Sequence, residues 1–317
     1  MSILVTGGAG FIGSHFARRM VQKGERVVVL DKLTYAGNPE NLKPITQNPE
    51  LAARFKFYKG DICDRALVDH VMSAEGVKVV VNFAAESHVD RSILSAESFI
   101  DTDIKGAYVL LDAARKFRVD RFVQISTDEV YGSIERGSFR ETDPLNPRNP
   151  YSASKAGADR LAYSFWATYG LPVIITRSSN NYGPNQYPEK FIPLFATNAI
   201  DGKKLPLYGD GRQVRDWLHV DDNCEAIEFL MAKGTLGEVY NVGGGNEREN
   251  VEVARLILDE LKKPASLIEH VRDREGHDRR YSLDCAKLEA LGWRPKTPFE
   301  AGVRSTVRWY AENESWW

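Results

Sequence analysis

Apolar residues in the first half of the chain gather into short, β-branched runs: "SILVTG", "RVVVLD", "FKFYKGD", "VKVVVNFAA", "RFVQIST" and "PVIITRSS". Most are nearly continuous rather than alternating, which is the pattern of strands buried on both faces. Between them lie stretches with helical spacing, at about 11–23, ahead of Val77, at about 96–117 and from Tyr151 onward. This alternation of strand and helix predicts an α/β fold, a parallel sheet covered by helices on both sides.

The rhythm breaks after Arg177, where Pro184, Pro188, Pro193 and Pro206 fall among short elements. Proline fixes φ and removes a donor, so long regular elements are not expected there. The break divides the chain into a first domain over 1–177 and a smaller α/β domain over 178–317. The apolar spacing of "DDNCEAIEFLMAKG" and the strand-like "EVYNVGG" predict a return to the first domain over about 216–243. Helices at about 251–261 and 301–311 follow.

Composition and charge remove several function classes. Hydrophobic residues make up 43% of the 317 and charged residues 27%, the profile of a folded globular chain. Lysine and arginine total 42 against 44 acids, so no broad basic field exists to gather nucleic acid. The longest apolar run, Val77 to Ala85, falls well short of the ~20 residues a membrane helix requires. "MSILVTGG" runs directly into a strand and lacks the charged and apolar regions of an export signal. Cys63, Cys224 and Cys285 are widely separated, without metal-ligand or disulfide spacing, which fits a reducing cytoplasm.

Candidate chemistry begins at Gly7, Gly10 and Gly13, which follow the strand "ILVT" and open a helix. Glycines so spaced serve a tight turn, a close backbone approach to pyrophosphate and close helix–strand packing, while the helix N-terminus offers free N–H groups. A flexible glycine turn has the same spacing; the next strand separates the two readings. It ends in Asp31, close to ~20 residues beyond the glycines, where a carboxylate accepts the ribose hydroxyls of NAD and repels a 2′-phosphate. Lys32 beside it keeps NADP open. Together these features make the fold Rossmann-type, a doubly wound parallel sheet. Asp61 and the pair Ala84–Ala85 also end strands, where ligands of such sheets bind, although Asp61 fits a helix cap equally well.

Two further motifs carry reactive groups. Tyr151 and Lys155 stand four apart at a helix start and project from one face, so an ammonium there is expected to lower the phenol from its reference pKa of ~10 toward the range of a base. In "ISTDEVYG", Asp128 and Glu129 are adjacent at a strand end. Neighbouring carboxyls raise each other's cost of ionisation, so one is expected to keep its proton while the other loses it.

The segments "TGGAGFIGS", "AAESHVDRSI", "ISTDEVYG", "YSASKAGAD", "TRSSNNYGPNQYPEKFIP", "GDGRQVRDWLHVDD" and "GHDRRY" occur in order along nearly the whole chain. Through them the chain resembles the extended short-chain dehydrogenase/reductases, and among these the dTDP-glucose 4,6-dehydratases. The resemblance implies that 1–177 binds NAD and 178–317 binds a sugar nucleotide. It implies oxidation of the sugar at C4, with Tyr151 taking the hydroxyl proton and Thr127 holding the C4 oxygen. Glu129 then removes the C5 proton, Asp128 protonates the departing C6 hydroxyl, and hydride returns to C6.

By the same resemblance Gly7, Gly10, Phe11, Ile12, Gly13, Asp31, Lys32, Thr34, Asp61, Ile62, Ala84, Ala85, Thr102, Tyr151, Lys155 and Asn181 contact NAD. Ser87, Thr127, Asn180, Lys190, Phe191, Pro206, Leu207, Tyr208, Arg215, Asn250, His277, Asp278, Arg279, Arg280 and Tyr281 contact the sugar nucleotide. Arg215, Arg279 and Arg280 suit a diphosphate, because a guanidinium fork matches phosphate oxygens. His88 and His277 lack partners at ligand spacing, so no metal is expected. The family's homodimers pack through two helices, here at about 96–117 and 152–169; Tyr108, Leu111, Leu161 and Phe165 are spaced for that contact or for an ordinary core. The segment between Glu129 and Tyr151 is shorter than in some relatives. Relatives that epimerise C4 of UDP-sugars or decarboxylate UDP-glucuronate share the tyrosine, lysine and glycines but have no use for an acid at C6. GDP-mannose 4,6-dehydratases typically carry another residue where Asp128 stands. A related UDP-sugar dehydratase or an epimerase is the alternative activity, and an idle NAD-binding regulator is disfavoured by the intact reactive groups.

Overall fold

The structure is a computed structural model and describes residues 1–273 and 276–317. Its strands are β1 (Ser2–Thr6), β2 (Arg26–Asp31), β3 (Phe55–Lys59), β4 (Val79–Asn82), β5 (Arg121–Thr127), β6 (Val173–Ser178), β7 (Asn180–Tyr182), β8 (Leu205–Tyr208), β9 (Val214–His219), β10 (Val239–Val242), β11 (Glu247–Glu249) and β12 (Ile268–Val271). Seven of them form one parallel sheet in the order β10-β6-β5-β4-β1-β2-β3. The chain winds outward one way through β1, β2 and β3 and the other way through β4, β5 and β6. The reversal between β1 and β4 leaves a crevice at the strand carboxyl ends, the usual ligand position in such sheets.

The continuous apolar runs have a direct structural cause. Ile3, Val5, Val27, Val29, Val79 and Val81 enter the core on one face, whereas Leu4, Val28, Leu30 and Val80 enter the core on the other. Successive side chains point to opposite faces, so a sheet sandwiched between helices demands apolar residues at both parities. Each such side chain contributes roughly 1.5–3 kcal/mol when fully buried.

β10 joins this sheet at its β6 edge, and the helix Val220–Lys233 packs on the helix Phe11–Gln22 through Val220, Cys224 and Ile227. The shorter strands make two small sheets, β11-β9-β7 and β12-β8, around a third core containing Tyr182, Phe195, Trp217, Ile257 and Tyr310.

Two helices set the site's geometry. The one beginning at Pro150 and ending at Tyr169 is fixed at its start by Asn149, whose side chain accepts from Ser152 N at 2.9 Å in a capping box. It stops at Gly170, in the left-handed region at φ 68°. The stretch expected to be helical over 96–117 is helical from Glu97 to Lys116, but its backbone widens into a π-helical turn over Ile100–Gly106. Such a turn re-aims side chains relative to a regular helix and is frequent at functional sites. Here it places Thr102 at the crevice and buries Asp103 beneath it.

Candidate active site

The glycine loop closes tightly onto the sheet. Gly7 has φ +64°, and a side chain on it would come within 2.8 Å of the Ala84 backbone; one on Gly13 would collide with the Gly7 carbonyl oxygen. Only glycine lets these segments approach so closely. Gly10 then opens the helix Phe11–Gln22, leaving its first N–H groups facing the crevice. Asp31 braces the loop: one carboxylate oxygen accepts from Ala9 N at 2.9 Å and the other from Leu33 N at 2.8 Å. Burial pushes its carboxyl above the usual range, against the lowering effect of these backbone donors.

Lys32 pairs with Asp61, at 2.7 Å. Asp61 also accepts from Cys63 N at 2.9 Å, and the helix that follows is capped by Asp64 through Leu67 N. The cap alternative for Asp61 therefore falls away. All the residues expected around the cofactor, from Gly7 to Asn181, line a single cleft of about 310 Å³.

At the far end of this cleft β5 runs out at Thr127 and the chain turns through a 3-10 helix, Asp128–Tyr131. The Thr127 hydroxyl accepts from Glu129 N at 3.3 Å and donates to Asp128 Oδ1 at 3.0 Å. The turn is anchored from below. Tyr131 donates to Asn241 at 2.8 Å and accepts from Arg177 at 2.7 Å, and Arg177 is forked onto Asp159 at 2.8 and 3.1 Å. Tyr131, Arg177, Asp159 and Asn241 are all essentially inaccessible, so the acid pair stands on a rigid base.

Asp128 is only 3% exposed, and its second carboxyl oxygen has no hydrogen-bond partner. Burial first, and the charge of Glu129 second, push its pKa up to about 8. A carboxyl raised this far favours its protonated form at neutral pH.

Tyr151 and Lys155 project together into the cleft. The Lys155 ammonium donates to the Ile125 carbonyl at 2.7 Å; burial lowers its pKa while Asp103 and Asp159 oppose that fall. The Tyr151 phenol is pushed well up, by burial and then by Glu129 and Asp103, and only the Thr127 hydroxyl pulls it down. Converting this phenol into a base takes a further positive charge beside its ring.

Asp103 is a group that sequence reasoning missed. It accepts from Ser154 Oγ at 2.6 Å and from Glu86 N at 3.0 Å, and burial lifts its pKa to about 6 against the charge of Lys155. Nothing in "FIDTDIKG" marks it, because its partners lie 17 and 51 residues away. Ser126, Ser178, Ser179, Glu86 and Glu189 also line the cleft. The serines directly end β5 and β6, so the strand-end rule that singled out Asp61 reaches them too.

The hydrogen-bond inventory of the cleft is incomplete. Ser126 Oγ, Asp128 Oδ2, Ser179 Oγ, Asn180 Oδ1 and Asn181 Oδ1 are buried without a hydrogen-bond partner, and all five residues line this one cavity. Each costs about 1–3 kcal/mol if left unsatisfied, so their convergence marks a site for a highly polar ligand. Together with the glycine cradle and the helix N-terminus, it fits a dinucleotide beside a sugar.

The residues expected at the sugar nucleotide divide into two groups. Ser87, Thr127, Asn180 and Lys190 line the cleft, with Lys190 donating to the Ser87 carbonyl. The others lie in the smaller lobe. Arg215, 5% exposed, lies over the Tyr281 ring at 4.2 Å; its charge reaches Asp128, and that of Glu129 reaches Tyr281, so these two abut the acid pair. Asn250 has a buried oxygen without a hydrogen-bond partner. Tyr208 meets His277 edge-on, and Phe191 stacks near Phe195 and Trp217. Pro206 is half-buried on β8.

Four of this second group are committed elsewhere. Arg279 is forked onto Asp210 at 2.8 and 3.1 Å and Arg280 onto Glu247 at 2.6 and 2.8 Å, which leaves Arg215 as the guanidinium nearest the acid pair. Leu207 is a core residue, and Asp278 is fully buried between Arg148 and Tyr281. Among the described residues, no three His, Cys, Asp or Glu side chains converge as metal ligands.

Comparison with known proteins agrees with this geometry. The protein family described as GDP-mannose 4,6 dehydratase matches residues 4–306. A dTDP-glucose 4,6-dehydratase from Actinoplanes sp. is 50% identical over 325 residues, covering 100% of both chains. The crystal structure of DesIV, a dTDP-glucose 4,6-dehydratase from Streptomyces venezuelae with NAD bound, superposes with a TM-score of 0.96 at 52% identity, covering 100% of this chain and 99% of that one. A UDP-glucose 4-epimerase from Thermotoga maritima with UDP-glucose has a TM-score of 0.92 at 31% identity, covering 99% and 100%. The scaffold alone therefore does not separate dehydration from epimerisation; the residues at the reacting end must.

Proposed function

Because the chain belongs to the GDP-mannose 4,6-dehydratase family, we infer that its cleft converts a nucleotide hexose by internal oxidation and reduction, as a dTDP-glucose 4,6-dehydratase. dTDP-glucose is the sugar nucleotide in the names of relatives at half identity over the full length. The cleft residues would hold NAD, which would supply a hydride acceptor and donor for the sugar, so the overall reaction would be loss of water without net redox change. The glycine loop and helix N-terminus would hold its pyrophosphate, and Asp31 would serve its ribose.

The chain's own groups move the protons. Tyr151 takes the proton of the C4 hydroxyl while Thr127 holds that oxygen; a bound nicotinamide would supply positive charge that, together with Lys155, favours the phenolate. The resulting C4 ketone acidifies C5–H. Glu129 removes that proton, and Asp128, already protonated, delivers its own to the departing C6 hydroxyl. A single observation supports this reading: Asp128, buried and with an unpartnered carboxyl oxygen, stands next to a second carboxyl, Glu129, in the wall of the cleft. An epimerase has no task for that acid.

Incubating the purified chain with dTDP-glucose, without added reductant, gives an alkali-labile 4-keto-6-deoxy sugar. Free NADH, a C4 epimer or unchanged substrate would remove the assignment.

The helices Ala107–Lys116 and Pro150–Tyr169 support a homodimer. Leu111 and Phe165 belong to the core and Leu161 packs against it, but Tyr108, Tyr163 and Tyr169 are 44%, 39% and 53% exposed along these elements. No helix among the described residues is long and apolar enough to cross a membrane. The three cysteines are free thiols, in keeping with a reducing cytoplasm.

A further inference from the structure

Three loops that wall the cleft meet one another at a single cluster. The loop after β2 brings Tyr35, the segment after β4 brings Arg91 and His88, and the loop after β7 brings Glu189. The Tyr35 hydroxyl donates to Glu189 Oε1 at 2.9 Å. Arg91 lies 3.2 Å from Glu189 Oε2, and His88 lies 3.8 Å from the same oxygen. The Arg91 guanidinium also sits 3.8 Å from the centre of the Tyr35 ring, whose edge meets Tyr187 at 5.5 Å. The Glu189 side chain is only 12% exposed while Arg91 is 51% exposed, so the carboxylate end of the pair is largely withdrawn from solvent and the guanidinium reaches in from the surface.

Glu189 itself lines the cleft, as do Thr34 and Ala36 beside Tyr35, Ser87 beside His88, and Lys190 beside Glu189. Contacts between Tyr35 and Glu189 span 154 positions of sequence and tie the dinucleotide half of the cleft to the smaller lobe. None of these groups has a part in the proton transfers above, so the cluster needs another explanation.

The reaction supplies one. Hydride withdrawn from C4 must return to the same sugar at C6, so a reduced cofactor lost in mid-cycle strands a ketone and leaves the enzyme unable to finish. We propose that Tyr35, Glu189 and Arg91 form a clasp across the cleft that keeps the dinucleotide resident through the cycle, and that its opening sets the rate of cofactor exchange. This rests on the reading that the cleft holds NAD.

The test uses the holoenzyme. Bound NAD is exchanged against excess isotopically labelled NAD and the label on the protein is followed by mass spectrometry after rapid gel filtration. Tyr35→Phe keeps the ring beneath Arg91 and removes only the hydroxyl; Glu189→Gln keeps the shape and removes the charge. Each is expected to speed exchange about tenfold, at an unchanged melting temperature. Tyr35→Phe removes the hydroxyl contact and Glu189→Gln the charge paired with Arg91, so the double variant should exchange faster than either single variant. Arg91→Met provides a third, independent opening. Exchange at the parent rate in both Tyr35→Phe and Arg91→Met would overturn the clasp. The two readings fail separately: if the parent forms no keto sugar, the reaction assignment falls while the exchange comparison still decides the clasp. If product forms normally and the variants exchange like the parent, only the clasp falls.

Discussion

Replacing Asp128 with asparagine separates the energetic cost of the retained proton from its catalytic use. In the folded chain this carboxyl has its pKa raised from 3.8 to about 8, whereas in the unfolded chain it ionises near its ordinary value. Between these limits the native state binds the extra proton, so the group lowers stability progressively as pH rises from about 4 to about 8. Each pH unit within that window corresponds to about 1.4 kcal/mol. The cost at pH 5 is then at most about 1.5 kcal/mol and at pH 8 at most about 5 kcal/mol; structural relaxation around the site should reduce both by roughly half. Asparagine fills the same space and does not titrate. Asp128→Asn should therefore be more stable than the parent, with an advantage that grows by about 2–3 kcal/mol between pH 5 and pH 8. Urea unfolding of both proteins at the two pH values measures this directly. The same variant should lose about 10²–10⁴-fold in turnover while still oxidising C4, visible as a 340 nm signal on substrate addition. A stability difference independent of pH, or turnover at the parent rate, would refute the reasoning.

Other substitutions probe the remaining groups. Glu129→Gln should spare C4 oxidation and block water loss, so the 340 nm signal appears rapidly and persists; decay at the parent rate would show that another group is the base. Asp103→Asn removes a charge that opposes the fall of the buried Lys155, so the alkaline limb of the kcat profile should move to lower pH. It should also abolish any loss of activity near pH 6 that comes from Asp103 taking up a proton, and a profile superimposable on the parent's would remove this role. Gly13→Ala places a methyl against the Gly7 carbonyl, so NAD affinity should fall by more than about tenfold in equilibrium binding, while the rest of the sheet melts cooperatively as before.

The buried ion pair beneath the acid turn shows why this reacting end is rigid. Arg177 and Asp159 are excluded from water, and Arg177 also holds the Tyr131 hydroxyl. Breaking one partner of such a pair typically costs about 3–5 kcal/mol, because an uncompensated buried charge remains. The turn Asp128–Tyr131 is thereby fixed to β6, to the helix Pro150–Tyr169 and, through Asn241, to β10. Positioning of the acid and base within a few tenths of an ångström follows from this support, which matters for proton transfer.

Much was legible in the chain because it is local. The continuous apolar strands, the glycine triplet and its helix, Asp31 at the next strand end, the paired carboxyls at the end of β5 and the Tyr151–Lys155 spacing all follow from a period of two or 3.6 residues, or from a turn only glycine can make. Those rules read neighbours along the sequence, and so they located the cleft's walls and its reacting end. They could not assign partners. That the Lys155 ammonium also meets the Ile125 carbonyl and the charge of Asp103, and that Arg279 and Arg280 meet Asp210 and Glu247, is decided by folding alone. Asp103 and Glu189 acquire meaning only from residues brought to them across 17 to 154 positions. Electrostatic and hydrogen-bond interactions depend on distance through space and on exclusion of water, and neither quantity exists until the sheet has closed on its helices.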